Sequence, residues 1–257
     1  MERRKVVVTG IGTVNPIGNN AEESFNAIKA GRHGIGKIES FDTDNMTIKL
    51  AGEVKNFDFA EKFGRKEART VDRFAQFALY AADEAVAMSG LTLSKENPLD
   101  NAGVIISSGI GGIGLTEQEH DRGLEKGFER INPHYIPMTI ANMAAANVAI
   151  RYGLKGMCTC PVTACAGGSN AIGDAFHRIR DGYEDVMICG GTEGAITPLA
   201  LGGFASMRAL SHSTDPDRVA SPLMRKEAAS SWARAQGYWY WRKRSTLRKE
   251  GRGSWQR

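Results

Sequence analysis

The sequence runs to 257 residues with a formal net charge of +4 and 42% hydrophobic content, which fits one large domain or two small ones and excludes wholesale disorder. A basic balance points towards nucleic acid or an anionic membrane, but residues 223–257 hold ten Lys/Arg against two Asp/Glu, leaving −4 on the rest. All four tryptophans, Trp232, Trp239, Trp241 and Trp255, lie in that same stretch, so an acidic body is followed by a basic, aromatic end.

Lys5–Thr9 is a β-branched run ending in Gly10 and reads as a buried first strand. Asn19 or Asn20 can cap a helix reaching about Ala30, with Gly31 as its stop. Arg32 to Phe63 is loop-rich with short strands. From Thr70 the apolar positions Phe74, Phe77, Ala78, Ala81, Ala82, Ala85 and Met88 recur at helical spacing, up to Ser89-Gly90. Ala102–Ser107 predicts a second buried strand entering a turn at Gly109–Gly114. Ile140–Arg151 predicts an Ala-rich helix closed by Gly153. A helical pattern spans Ala166 to Arg180, and Val186–Cys189 predicts a strand leading into Gly190-Gly191-Thr192-Glu193-Gly194. Strands alternating with helices predict an α/β fold with a mainly parallel sheet.

No apolar run approaches the roughly 18 residues of a membrane helix. The basic start is followed only by Val6–Val8, too short for a secretory signal. A cytoplasmic location with no membrane span is expected. The cysteines Cys158, Cys160, Cys165 and Cys189 then read as free thiols. Cys158-x-Cys160 lacks zinc-site spacing and no His pair follows, so no metal is expected. Cys189 reads as a small core residue. Cys165 stands between a strand-like segment and a helix start, where unpaired N–H groups and the helix dipole stabilise a thiolate. Its neighbours Ala164, Ala166, Gly167 and Gly168 are small and leave the sulfur reachable. Cys165 is a candidate nucleophile; the alternative is a buried, inert thiol.

The segment Val162-Thr163-Ala164-Cys165-Ala166-Gly167-Gly168-Ser169-Asn170-Ala171-Ile172-Gly173 resembles the active-site elbow of β-ketoacyl-acyl-carrier-protein synthases, nearest to the type II elongating enzymes. Val6–Gly12, Ser107–Gly112, Gly190-Gly191-Thr192-Glu193 and Gly203–Ser211 match the same family in order, so the resemblance covers residues 1 to about 221. It implies a thiolase-like fold, with this chain as the N-terminal half of a duplicated α-β-α-β-α layered architecture, paired as a homodimer. It implies a decarboxylating Claisen condensation without metal or organic cofactor: Cys165 takes an acyl group from acyl-ACP as a thioester, and malonyl-ACP supplies the attacking carbanion. It further implies that Ala164 belongs to the substrate-binding elbow and that Ile110 and Phe204 line the acyl channel, positions that plain core residues could also fill. The family's acyl-carrier protein is acidic. By resemblance, the basic run Lys62, Arg65, Lys66, Arg69 and Arg73 is its docking region, with Arg65, Lys66 and Arg69 at its centre. The alternative for that run is an ordinary solvated helix face.

The family pairs its cysteine with two histidines from its C-terminal half, in HGTxT-like and GHxxGAAG-like motifs. None of His33, His120, His134, His177 and His212 stands in such a context. Where the family continues as GFVMGEGAGVLVLEE, this chain reads Ala228 to Trp241 differently. If each codon takes the last base of one codon and the first two of the next, Trp232-Ala233 forces glycine. Tyr238-Trp239 then forces leucine, Trp239-Tyr240 valine and Tyr240-Trp241 leucine again, and the remaining positions permit the family segment. Residues 1–221 are therefore expected to form the synthase N-terminal domain. Residues 222–257 are expected to be an out-of-frame tail that is no part of the fold, and nucleic acid is not expected as a partner. The chain is then expected to be inactive or impaired in condensation, or a non-catalytic fragment. A competing reading takes Gly109-x-Gly111-x-x-Gly114 as the phosphate loop of a nucleotide-binding oxidoreductase. That motif needs a second strand about 20 residues on, and Gly123 to Pro133 offers none.

Overall fold

The structure, a computed structural model, describes residues 4–219 and 237–243. Strand β1 covers Val6–Thr13 and continues past Gly10, where the sequence suggested a stop. Gly10 and Gly12 let the strand press against a helix: a Cβ on them would lie 2.0 Å from the Ala85 carbonyl oxygen and 1.9 Å from that of Ala81. Helix α1, Ala21–Lys29, starts at Asn20, whose side chain accepts the Glu23 N–H. Short strands β2 (Ile35–Lys37) and β3 (Leu50–Gly52) form a separate antiparallel pair in the loop-rich stretch. Helices α2 (Phe59–Phe63) and α3 (Arg65–Ala68) lead into α4, Arg73–Ser89, which is capped by Asp72 and closed by Gly90 in the left-handed conformation.

Strand β4 covers Ala102–Ser107, followed by α5 (Ile113–Lys126), α6 (Tyr135–Thr139), α7 (Met143–Tyr152), the short β5 (Cys158–Thr159) and α8 (Gly167–Arg180). Strand β6 (Val186–Gly191) and helix α9 (Pro198–Ser206) follow, and β7 covers Gly237–Lys243. Helix α5 escapes the sequence pattern because its buried positions are only Glu119 and Gly123, which form no apolar stripe.

The main sheet has the order β1-β7-β6-β4-β5. Strands β4, β5 and β6 are mutually parallel, and β7 is antiparallel to both β6 and β1. Two of its four pairings are parallel and two antiparallel, so the sheet is mixed and not the mainly parallel one expected, because β7 runs against both of its neighbours. Side chains alternate between its faces. Val104, Ile106, Val186 and Ile188 pack with α4 and α7 on one side, while Ile105, Met187 and Cys189 pack with Ala171, Ala175 and Ile179 of α8 on the other. Helices on both faces of the sheet give the expected α/β layering.

A second expectation is corrected. Residues 237–243 lie in the sheet as β7, although residues 222–257 were expected to stay outside the fold. The physical reason is that β1 and β6 are not paired with each other, and each needs a neighbour for its backbone donors and acceptors. Backbone pairing is open to any non-proline segment, whatever reading frame encodes it. The remainder of that segment lies outside the described residues.

Candidate active site

The carboxyl ends of β4, β5 and β6 face the same way, and open α/β sheets gather their sites at that edge. Three loops leave it: Ser108–Gly112 after β4, Cys160–Ala166 after β5 and Thr192–Thr197 after β6.

Cys165 is exposed at the centre of a 3-10 turn, Ala164–Ala166, which runs directly into α8. Ala164 has φ +49, a left-handed conformation that an alanine holds only under constraint from its surroundings. The constraint comes from the helix start. A Cβ on Gly167 would lie 1.9 Å from Ser107 Oγ, and one on Gly191 would lie 3.0 Å from the Gly168 Cα. The first turn of α8 therefore sits directly on the ends of β4 and β6, and only glycine allows that approach. The Ser107 hydroxyl donates to the Pro161 carbonyl oxygen at 2.6 Å and pins the segment leading into the turn. The result is a thiol displayed on a fixed, bent backbone at a helix N-terminus.

The other cysteines differ. Cys189 is fully buried in β6 against α8, as its sequence context suggested. Burial pushes the thiols of Cys158 and Cys160 above their ordinary value, and the nearby Glu193 adds to the effect at Cys160. Cys160 Sγ accepts the Ser108 N–H at 3.3 Å, so this thiol ties the β5 loop to the β4 loop.

Ala164 is exposed beside Cys165. Ile110 is 41% exposed on the Ser108–Gly112 loop. Phe204, on α9, is partly buried against a cluster containing Ile38, Ile48, Ile196, Leu201 and Leu210. The basic run divides in two. Lys62 is paired to Asp83 at 2.7 Å and lies over the Tyr80 ring, and Arg73 lies over the Phe57 and Phe77 rings. Arg65, Lys66 and Arg69 are exposed on and just after α3, and none makes an ion pair among the described residues.

The sequence reading assigned no role to Glu193, a partly buried carboxylate one residue after the buried Thr192. Oε2 accepts the Gly109 N–H at 2.9 Å, Oε1 accepts from the Ser108 hydroxyl at 3.4 Å, and the Ile110 N–H also points to it. Burial outweighs these donors and pushes its carboxyl above the usual carboxylate range. The available signal was an acidic residue just beyond a strand end, in a segment otherwise made of glycine and threonine.

The glycines of the Gly109–Gly114 motif face protein, not an open phosphate cradle. A Cβ on Gly111 would lie 2.4 Å from the Thr139 carbonyl oxygen, and one on Gly109 would lie 3.1 Å from Glu193 Oε2. A carboxylate beside the first glycine repels a pyrophosphate, and the next described strand of this sheet begins only at Cys158. The nucleotide-binding reading has no support here.

The sequence model of the family described as Beta-ketoacyl synthase, N-terminal domain matches residues 3–238. The chain is 48% identical over 221 residues to 3-oxoacyl-[acyl-carrier-protein] synthase 2 of Synechocystis sp., covering 86% of this chain and 53% of that protein. It is 43% identical over 222 residues to the protein of the same name from Staphylococcus aureus strain COL, again covering 53% of it. The chain thus spans about half the length of the curated relatives it matches. Among solved structures, a type II PKS acyl-carrier protein in complex with its ketosynthase bound to the hexaketide matches with TM-score 0.85 and 27% identity, over 98% of this chain and 61% of that one. A β-ketoacyl synthase from Burkholderia phymatum STM815 matches with TM-score 0.84 and 25% identity, over 99% and 62%. With the elbow, the sheet order and these matches in agreement, the chain belongs to the β-ketoacyl synthase family, whose N-terminal domain it carries.

Proposed function

We propose that this chain supplies the acyl-accepting half of a 3-oxoacyl-[acyl-carrier-protein] synthase of fatty-acid elongation. The observation that carries this reading is the exposed Cys165 on its strained turn at the head of α8, in a chain 48% identical to a protein of that name. The Cys165 thiolate attacks the carbonyl of an acyl-ACP thioester. The bond to the carrier sulfur breaks, and the carrier leaves as a thiolate that takes a proton from water. Backbone N–H groups of the turn, that of Cys165 among them, hold the oxyanion. Condensation then requires malonyl-ACP to lose CO₂. The electron pair of the broken C–C bond attacks the Cys165 thioester, expels the thiolate and yields a 3-oxoacyl chain two carbons longer.

Acyl transfer is the step that the described residues around Cys165 carry in this reading. His177 stands twelve residues after Cys165 along α8, about 18 Å away at helical rise. His33 binds Asp217 and His120 lies beside Asp121. Ala164, Ile110 and Phe204 form part of the acyl subsite in this reading, and Arg65, Lys66 and Arg69 receive the acidic acyl-carrier protein. The setting is cytoplasmic and the assembly a homodimer. The segment from about residue 222 is an out-of-frame continuation of the gene, and the coding DNA tests this: restoring the frame must yield a continuous synthase sequence.

The acyl-transfer step is tested by intact mass after incubation with acyl-ACP. The wild type is expected to gain one acyl mass and Cys165→Ala none. An equal gain in both removes Cys165 from the mechanism.

A further inference from the structure

Helix α3 has no fully buried residue, and only the partly buried Ala68 packs against the core. Polar contacts fasten the helix instead. On one side, Gln76 of α4 donates from Nε2 to the Ala68 and Val71 carbonyl oxygens at 3.1 and 2.8 Å. On the other, Arg151 near the end of α7 reaches both carboxylate oxygens of Glu67 at 3.2 and 3.3 Å. Arg151 is itself held. Its guanidinium lies 4.3 Å from the centre of the Phe63 ring of α2, and its neighbour Tyr152 is buried with its hydroxyl on Asp83 at 3.0 Å. The Arg151 and Glu67 side chains are 33% and 35% exposed, so salt screens this pair less than an open surface pair.

Glu67 is the only acidic residue between Lys62 and Val71, and it is turned onto α7 while Arg65, Lys66 and Arg69 stay exposed. Helix α7 runs on through β5 into the turn that carries Cys165. The bridge therefore ties α3 to the element that precedes the nucleophile. We infer that Arg151 is a positioning residue for carrier-protein docking: by holding Glu67 from α7, it fixes α3 and with it the three cations that meet acyl-carrier protein. This rests on the reading that Arg65, Lys66 and Arg69 receive that protein. Net charge and placement make opposite demands on Glu67. Removing its carboxylate makes the patch more basic, and steering alone then speeds encounter with an acidic partner. Removing it also breaks the bridge, so that the partner must order a loosened helix on binding and leaves sooner.

The test uses the full chain and acyl-carrier protein bearing no acyl group, so that transfer to Cys165 does not intrude, and reads association and dissociation rates separately. Glu67→Ala and Arg151→Met break the same bridge but change the net charge in opposite directions. Both are expected to raise the dissociation rate about threefold, the scale of a partly exposed ion pair. The double variant is expected to dissociate no faster than either single one, because the bridge is already lost. Arg151→Lys keeps the charge and is expected to dissociate more slowly than Arg151→Met. Iodoacetamide labelling of Cys165 is expected to stay within about twofold throughout, as a check that the domain remains folded. If Arg151→Met fails to fold, Glu67→Ala decides alone, since net charge by itself predicts tighter binding there. The inference is overturned if either single variant leaves the dissociation rate unchanged or lowers it, if the two factors multiply in the double variant, or if Arg151→Lys dissociates as fast as Arg151→Met. Reversal of Arg65, Lys66 and Arg69 to glutamate separates the two readings. If it leaves the affinity for the carrier protein unaltered, the docking reading falls and this inference with it; if it weakens binding while the bridge variants do not, only this inference falls.

Discussion

At the residue scale, the site depends on one alanine in an uncomfortable conformation. Ala164 at φ +49 carries a left-handed cost of order 1 kcal/mol that glycine avoids. Glycine also enlarges the unfolded ensemble, by about 0.5–1 kcal/mol. Ala164→Gly is therefore expected to hold stability level or raise it by up to about 0.5 kcal/mol in denaturant unfolding, while slowing acylation of Cys165 because the bend is no longer fixed. A variant that loses more than about 1 kcal/mol shows that the methyl group packs where the structure leaves it exposed. Residues of this kind were unevenly legible in the sequence. Cys165 was legible because small residues and a helix start surround it. Glu193 was not, because its partners are backbone N–H groups of a loop 84 residues earlier, and no periodicity encodes a contact at that range.

At the element scale, the strands and helices built on apolar spacing were legible and the others were not. β4 and α4 bury a regular set of side chains, so the pattern shows. α5 buries a glutamate and a glycine, and Glu119 works by accepting the Asn132 N–H at 2.7 Å, so its sequence reads as a loop. β1 was cut short because glycine was taken as a stop, whereas Gly10 and Gly12 are contact points for α4. β7 was set outside the fold because its segment reads as out of frame, whereas backbone pairing does not depend on the side chains. Its role is testable with Tyr240→Pro. Tyr240 is paired with Gly10 on one side and with Ile188 on the other, and proline removes a donor from a central strand. A loss of about 3 kcal/mol or more is expected, read as a lower midpoint of thermal unfolding. No change in the midpoint means that the sheet holds without β7.

At the scale of the whole molecule, the net charge is a poor guide and its distribution a good one. The basic excess sits in residues 223–257, while the preceding body carries −4. Within that acidic body Arg65, Lys66 and Arg69 stand together, exposed and without ion pairs among the described residues. Reversing all three to glutamate is expected to weaken binding of acyl-carrier protein about tenfold or more, and to remove most of the salt dependence of the association rate. Iodoacetamide labelling of Cys165 is expected to stay unchanged. An unaltered affinity at low salt places the carrier protein elsewhere.

Strand β7 also bears on how long the chain survives in a cell. Chaperones and proteases act on locally opened structure and unpaired edges, not on catalytic competence. With β7 in place, β1 and β6 each have a neighbour and the sheet interior presents no open edge to such surveillance. That hydrogen-bond ladder does not read side chains, so whatever protection it gives is independent of the chemistry at Cys165.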